Sequence, residues 1–396
     1  MTLPVILRVY GEVSVLGLVL NLVILPTVSV VLTCGLVCSV VGFFSIRVAG
    51  IMLIPGNLLL LLYEKLCVLA GKIPFCTWIG GAPEIWRCVV YYGILAGGLW
   101  DASMMSKKRN YNQKRILPCC ICCGILLLGV LFLGFRQRNL LSISCLDIGQ
   151  GDGIVIQLPG GKNIMVDGGS SNKKNMASYQ LLPYLKNQGI SVIDAILISH
   201  TDADHISGVQ ELMDLKEKQL TTLHIKNLLL PEWKTQDAVY CKLEEQAERA
   251  GIKVLKLHQG QRFSFGNTSI EILSPEVGAE GEEVNEDGIV MELRHGEFRG
   301  LFTGDIGAET EKKLLDLLDD VDFLKVGHHG SRYSTCQEFL DRIRPELAVI
   351  SCSDSNTYGH PSPETTERLD KNGIKTMYTM KSGAVTVYTD GRRMWT

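Results

Sequence analysis

The sequence predicts an α/β core, sheets covered by helices, preceded by an α-helical membrane-spanning region. Three observations point there. Charge is divided unevenly over the 396 residues, with 12 basic and 4 acidic residues through Arg138 and 27 basic and 38 acidic after it. Uncharged apolar runs of membrane length are confined to the first stretch, and they lift the mean hydropathy of the whole chain to +0.17. After Asn139, short β-like runs alternate with helical periods, the order expected of sheets packed under helices. These grounds divide the chain into a membrane region, 1–138, and an α/β domain, 139–396. Length excludes one small domain, and the lack of polar low-complexity tracts and of an internal repeat excludes disorder and a solenoid.

In the membrane region, Val13 to Phe44 carries no charge and is interrupted only by Asn21 and Pro26. A bilayer core takes roughly 20 residues of helix, so this run exceeds one span and falls short of two. Pro26 lacks an N–H, and the expectation is a broken helix, or an interfacial helix leading into a span from about Pro26 to Phe44. Val48 to about Leu69 is a weaker span, interrupted by Pro55-Gly56-Asn57 and carrying Glu64 and Lys65 near its end. Trp86 to Trp100 is short but bracketed by tryptophans of the kind that settle at membrane interfaces. Ile116 to Phe135 is the cleanest span. A cleavable signal peptide accounts for none of these stretches. Lys107, Lys108, Arg109, Lys114 and Arg115 stand between the last two spans, against Arg136 and Arg138 beyond the final one. The positive-inside rule puts the 107–115 loop in the cytoplasm and everything after Arg138 on the periplasmic or extracellular side. Cys119, Cys120, Cys122 and Cys123 fall in the last span, where thiols behave as small hydrophobes. Beyond it, Cys145, Cys241, Cys336 and Cys352 leave room for one disulfide but not for a disulfide framework.

In the second region, LSISCLDIGQGD, GIVIQLPGG and KNIMVDGG read as strands joined by tight turns, with QLPGGKN a hairpin. ASYQLLPYLKNQG has a helical period. SVIDAILIS is a nearly continuous apolar strand, from which HTDADHISGVQELMDL turns into a helix. There follow the strand RGLFTGDIG, the helix AETEKKLLDLLDD, the strand VDFLKVGHHGS and the helix CQEFLDRIR. The strand ELAVISCS, the helix SPETTERLDKNG and the strand AVTVYTD complete the chain.

The residues that carry chemistry begin with His200, Asp202, Asp204 and His205, within HTDADH at the C-terminal end of a buried strand. On a strand-to-helix turn, four such side chains converge into one concavity, and imidazole with carboxylate suits Zn, Mn or Fe. A turn in which Asp204 merely caps the next helix is the competing explanation. Four ligand types in one turn outweigh it. Asp305 ends GLFTGD, His328 and His329 end DFLKVGHHG, and His360 follows ISCSDSNTYG. Each alone is an ordinary turn or surface residue, but they recur at the same end of successive strands, where α/β sites form. The amides of Gly330 and Ser331, beside Lys325 and Arg332, offer a place for phosphate oxygens, or else make a solvated turn.

HTDADH resembles the HxHxDH signature of the metallo-β-lactamase fold, with Asp202 where the second His is usual. LDIGQGD, VDGG, ISHTDADHISG, LFTGD, VGHHGS and YGHPSP together are similar to the exported hydrolase-like domain of ComEC-type DNA-internalisation (competence) proteins. The likeness spans nearly all of residues 141 to 391. VSVLGLVLNLVILPTVSVVLTCGL resembles, less specifically, the end of that family's polytopic membrane domain. The resemblance implies a metallo-β-lactamase-like αββα sandwich behind transmembrane helices, in a multi-pass protein of the bacterial inner membrane. Full-length members carry an exported N-terminal module and further helices, so it also implies a chain truncated or split on its N-terminal side. NEDGIV, with Asn285 and Asp287, stands where many such enzymes place a metal-binding His, which leaves one metal less tightly held or its shell completed by another residue.

With two divalent ions, Mn or Zn foremost, His200 and Asp202 are expected to face one, Asp204 and His205 the other, and Asp305 to bridge them. His328 is the further ligand, with His329 as its substitute. The candidate catalytic residues are Asp204, His329 and His360, the last as ligand or proton donor. Asp167, in VDGG, is expected to hold a ligand histidine by a hydrogen bond rather than to touch metal. Two cations about 3.5 to 4 Å apart lower the pKa of a shared water and stabilise charge on a phosphoryl group, the requirements of phosphodiester hydrolysis. Asp202 in place of an imidazole makes Mn or Mg more competitive with Zn. The expected function is that of a membrane-anchored nuclease acting on single-stranded or incoming double-stranded DNA during uptake. Its other expected partners are membrane lipid and further competence proteins or a missing channel half. The net charge of −11 after Arg138 weighs against DNA. It keeps two alternatives open: a channel or receptor component without hydrolysis, and a hydrolase of small phosphoesters.

The topology has a direct test. Alkaline phosphatase fused after Thr396 should be active and fused after Arg109 inactive; the reverse pattern would put the α/β domain in the cytoplasm.

Overall fold

The computed structural model describes every residue except 1, 72, 74–75, 109–115, 137–138 and 236. It contains two compact units, Met1–Phe135 with Leu185–Gly189, and Arg136–Tyr184 with Ile190–Thr396.

In the first unit, α1 (Leu3–Tyr10) leads into β1 (Glu12–Ser14), followed by α2 (Gly17–Gly42), α3 (Ile46–Met52) and α4 (Ile54–Gly71). Then come β2 (Thr77–Ile79), antiparallel to β1, α5 (Ile85–Lys108) and α6 (Ile116–Gly134). Among the described residues, Val19–Gly42 and Ile54–Gly71 are helical stretches long and apolar enough to cross a membrane. The expected break at Pro26 does not occur, because α2 runs through it. Proline removes only one donor, and stopping the helix in an apolar run would strand many more backbone groups. Thr27 supplies hydrogen bonding at that turn: its hydroxyl donates to the Val23 carbonyl at 2.6 Å and lies 2.6 Å from the Tyr63 hydroxyl. The 48–69 stretch is interrupted, but just ahead of Pro55: α3 ends at Met52 and α4 begins at Ile54, so Pro55 sits in the first turn of α4, where an N–H has no helical partner anyway. Val13 belongs to β1 rather than to a span. The Trp86–Trp100 stretch lies within α5, and the final apolar stretch forms α6. Of the basic residues used for orientation, Arg109, Lys114, Arg115 and Arg138 lie outside the described residues.

The second unit opens with β3 (Leu141–Cys145), β4 (Gly153–Gln157) and β5 (Asn163–Asp167), then a π-helical turn (Ala177–Leu181) into α7 (Leu182–Asn187), which the unit holds through Tyr184. β6 (Val192–Ile193), β7 (Ala195–Leu197), α8 (Ala203–Glu217), β8 (His224–Ile225), β9 (Asn227–Pro231), α9 (Ala238–Arg249) and β10 (Lys253–Leu257) follow. Next are β11 (Arg262–Phe265), β12 (Thr268–Ser274), β13 (Val290–His295), β14 (Phe298–Phe302), α10 (Ala308–Lys313) and β15 (Phe323–Lys325). The unit ends with α11 (Gln337–Ile343), β16 (Leu347–Ile350), α12 (Pro363–Lys371), β17 (Lys375–Tyr378), β18 (Val385–Thr389) and β19 (Met394–Trp395).

These strands make an eight-stranded sheet, in the order β10-β9-β7-β5-β4-β3-β18-β19, and a seven-stranded sheet, β11 through β17 in sequence order. The sheets pack face to face, and helices cover their outer faces, giving an αββα sandwich. Ile143, Val166 and Leu197 from one sheet meet Ile270, Met291, Phe302 and Phe323 from the other in the layer between them. The two-residue period of a strand is explicit in β15. Phe323 enters this layer, whereas Leu324 packs outward with Phe339, Leu340 and Leu369 beneath α11 and α12. SVIDAILIS is two strands rather than one: β6 pairs with β8, and β7 joins the main sheet. Asp194 divides them, its carboxylate accepting from the Asn163 amide at 3.0 Å and pairing with Lys162 and Lys226 at 3.1 and 2.7 Å. In α8 the buried face, His205, Gly208, Val209, Leu212 and Met213, follows the helical repeat. A Cβ at Gly208 would lie 2.2 Å from the Gly168 carbonyl oxygen, so only glycine lets the helix approach the end of β5 this closely.

Phe323 is fully buried and Leu220 is 69% exposed. Phe323→Ala should therefore cost about 3–5 kcal/mol in denaturant unfolding and Leu220→Ala less than about 0.5 kcal/mol. Equal costs would contradict the core described here.

Candidate metal centre

The C-terminal ends of strands from both sheets converge on one edge of the sandwich. Asp167 ends β5, Ser199 and His200 follow β7, and Asp204 and His205 occupy the first turn of α8. Asp305 follows β14, and His328 and His329 follow β15 in a 3-10 turn. Asp202 is the N-cap residue of α8, yet its carboxylate makes no capping hydrogen bond.

Asp167 organises the first group. Its Oδ1 accepts from the Ser199 amide at 2.7 Å, and its Oδ2 lies 2.8 Å from the Ser199 hydroxyl and 2.9 Å from His205 Nδ1. With Nδ1 engaged, His205 Nε2 points at Asp305 Oδ2, 3.3 Å away. His200 Nδ1 lies 3.0 Å from the Ser199 hydroxyl, and its Nε2 lies 3.6 Å from Asp202 Oδ2. His329 Nδ1 donates to the Ser351 carbonyl at 3.0 Å, and its Nε2 lies 3.4 Å from Asp204 Oδ2 and 3.5 Å from Asp305 Oδ2. Three imidazoles thus have one nitrogen engaged and the other, Nε2, buried without a hydrogen-bond partner; Asp305 Oδ1 is likewise unpartnered. Buried polar atoms are rarely left so, and an imidazole fixed through one nitrogen with the other free is how histidine presents itself to a metal. The residues present therefore fit divalent cations. The ligand atoms of His200, His205 and Asp305 all lie within 4.8 Å of one another, as do those of Asp204, His205 and His329.

His329 takes the place expected of His328. His328 is about one-third exposed, with Nε2 4.0 Å from Asp305 Oδ2. The two residues adopt φ of 48° and 52°, consecutive left-handed conformations that side-chain-bearing residues hold only where the surroundings enforce them. The same turn sends one ring in and the other toward solvent. Asp202 is at the rim, its side chain 55% exposed. His360 lies at the edge of the converging atoms, its ring stacked 5.8 Å from Tyr358, edge-on at 5.6 Å to His328 and 6.4 Å from His329, with its Nδ1 likewise buried without a hydrogen-bond partner.

Electrostatics tie these groups together. Burial opposes ionisation of Asp305, but the facing His329 and His205 outweigh it and hold the carboxyl well below its ordinary range. Burial also works against the imidazolium of His205, yet Asp305 and Asp167 raise its pKa well above the ordinary value. His329 is raised in the same way by Asp305 and Asp152. Asp204 is lowered against burial by His329 and His205. His360 is pushed down to about 4, by burial first and then by His329 and His328.

Three of the groups offered for phosphate oxygens have partners within the protein. Lys325 is 1% exposed and pairs with Asp152 at 2.6 Å, the Ser331 amide donates to the His328 carbonyl at 2.9 Å, and Arg332 pairs with Glu364. Asp287 is occupied too, its Oδ2 accepting from the Gly281 amide at 2.8 Å. Cys145, Cys241, Cys336 and Cys352 are free thiols, so the disulfide left open by the sequence is not made. Asp152 and Ser199 are residues that sequence reasoning missed, and Lys325 is one it assigned to another role. A signal existed for the pair, because a lysine within the apolar strand FLKV demands a buried carboxylate. Asp152 also follows Gly151, where a Cβ would lie 2.4 Å from the Asp204 carbonyl oxygen.

Residues 1–105 match the family model described as Competence protein, and residues 146–354 that of the metallo-beta-lactamase superfamily. The chain is 26% identical over 297 residues to ComE operon protein 3 of Bacillus subtilis, covering 71% of this chain and 37% of that protein. It is 30% identical over 288 residues to Recombination protein 2 of Haemophilus influenzae, covering 72% of this chain and 33% of that protein. It is 24% identical over 393 residues to Competence protein ComA of Neisseria gonorrhoeae, covering 95% of this chain and 48% of that protein. The chain therefore spans between a third and a half of the length of these relatives. The second family match takes in more than half of the chain together with His200, Asp204, His205, Asp305 and His329, and the chain belongs to the metallo-beta-lactamase superfamily.

Proposed function

We propose that this chain is a membrane-anchored, metal-dependent phosphodiesterase that cuts DNA during its uptake, with the α/β domain on the extracytoplasmic side. The observation that carries the reading is the set of three unpartnered Nε2 atoms of His200, His205 and His329 around Asp305. His200 with Asp202 would hold one ion and Asp204, His205 and His329 the other, with Asp305 between them. Charge supports two ions: the five carboxylates of Asp152, Asp167, Asp202, Asp204 and Asp305 outnumber the ammonium of Lys325 by four, and two divalent cations would bring the sum to zero. When bound, such a pair activates water and stabilises charge on a phosphoryl group. The chain's own residues do the positioning. Asp167 and Ser199 fix His205 and His200, and the Ser351 carbonyl fixes His329. His360, neutral at pH 7, serves as a hydrogen-bond partner or proton acceptor at the rim rather than as an imidazolium donor. The Competence match and the apolar helices support membrane anchoring and DNA as the substrate class. The net −11 after Arg138 favours the second reading, hydrolysis of a small phosphodiester.

Elemental analysis of the chain should find two divalent ions, and Asp305→Ala should lose at least one; full occupancy in that variant would remove Asp305 as the bridge.

Because the carboxylates of Asp305, Asp167 and Asp152 raise the pKa values of His205 and His329 above that of an ordinary imidazole, the two rings hold protons more tightly in the metal-free chain. Ions must displace those protons. Affinity for Mn should therefore rise from pH 6 to pH 8, with up to two protons released per chain in calorimetry across buffers. A pH-independent affinity would contradict these shifts.

Single-stranded DNA should be cleaved better with Mn than with Zn, and Asp202→His should move that preference toward Zn. A chain inert on DNA with every divalent metal but active on a small phosphodiester would establish the second reading. Metal binding without hydrolysis of either would point to a receptor or channel role.

A further inference from the structure

The ion pair between Lys325 and Asp152 borders the cluster: a carboxylate oxygen of Asp152 lies within 4.8 Å of the ligand atoms of Asp305 and His329. The Lys325 ammonium is 2.6 Å from Asp152 Oδ2, with neither side chain more than 2% exposed. Buried pairs of this kind are often no more stabilising than apolar side chains of the same size. Their placement is more informative. Lys325 ends β15, whose chain continues directly into His328 and His329. Asp152 is locked on its backbone side: its amide donates to the Asp204 carbonyl at 3.0 Å, and its carbonyl accepts from the Gly169 amide at 3.1 Å. Its second carboxylate oxygen, Oδ1, is buried without a hydrogen-bond partner and lies 3.7 Å from His329 Nδ1. That nitrogen donates to the Ser351 carbonyl, and a negative charge beside it favours the same tautomer, leaving Nε2 as the free lone pair.

We infer that Asp152 and Lys325 are a positioning pair for His329, and that they set the cation affinity of the position made by Asp204, His205 and His329 without setting that of the position made by His200 and Asp202. The inference rests on the two-ion reading given above. Asp167 serves His205 by direct contact and carries no cation of its own; Asp152 serves His329 from one step further away. Lys325 has two effects. It holds one oxygen of Asp152, which fixes the direction in which the other faces, and it engages a carboxylate that already borders Asp305 and His329, so that only Oδ1 is left to act on the cluster.

The test is Mn titration of the full chain by calorimetry, with the wild type compared to the Asp152→Leu/Lys325→Met double variant. That variant removes both charges together and leaves neither buried alone. The expected result is one Mn affinity unchanged and the other weakened about 10–100-fold, as for loss of a group that orients a metal-binding histidine. A purely structural pair would shift the melting temperature and leave both affinities in place. Both affinities unchanged, or both weakened alike, beside a wild type that binds two Mn would overturn the inference and leave the two-ion reading standing. A wild type that binds fewer than two Mn would overturn both. If the double variant does not fold, Asp152→Asn carries the same test, since it keeps the size and the acceptor for Lys325 while removing the charge that faces His329.

Discussion

The Asp167 carboxylate is the constraint on which the cluster depends. Three donors converge on it, the amide and hydroxyl of Ser199 and Nδ1 of His205, so one side chain joins the end of β5, the end of β7 and the first turn of α8. The residue pays for this position with a φ of 55°, a left-handed conformation that costs of order 1–3 kcal/mol in a side-chain-bearing residue. The Gly168 amide continues the junction by donating to the His205 carbonyl at 2.8 Å. Through Ser199 the same carboxylate also governs His200, whose Nδ1 has that hydroxyl as its neighbour. Without Asp167, two of the three inward-facing imidazoles would lose what fixes their rings.

Much of this was legible in the sequence wherever chemistry and position coincide locally. HTDADH concentrates its ligand types on one strand-to-helix turn, so the period of the strand and the start of the helix suffice to bring His200, Asp204 and His205 together. The sequence left the choice between His328 and His329 open, and it turns on two consecutive left-handed residues that no residue pattern announces. Continuity of α2 through Pro26 was hidden for a different reason. The penalty for proline is local, while the penalty for stopping the helix is set by apolar surroundings. The division of SVIDAILIS at Asp194 depended on two lysines and an amide from elsewhere in the chain.

Lys325 is the instructive error. Its proximity to Gly330 and Ser331 in sequence invited a phosphate-binding reading, but the two-residue period of β15 already decides the matter. Phe323 faces the layer between the sheets, Leu324 faces away, and Lys325 faces the layer again. A lysine so placed needs a carboxylate, and it finds Asp152, 173 positions distant. Pairings across that separation follow from sheet topology, which a single sequence encodes only through the complete fold.

The converging residues come from both halves of the sandwich: Asp167, His200, Asp204 and His205 from the side of the eight-stranded sheet, Asp305 and His329 from the side of the seven-stranded one. In the proposed site, the first half alone lacks the carboxylate common to both cation positions, and the second half alone has too few ligands to hold either. The proposed cation positions therefore exist only where the two sheets are docked, and neither half of the sandwich would offer them alone. Cations held there would act as rivets across the two sheets, so that, under the proposed function, the binding that completes the site would also fasten the architecture that carries it.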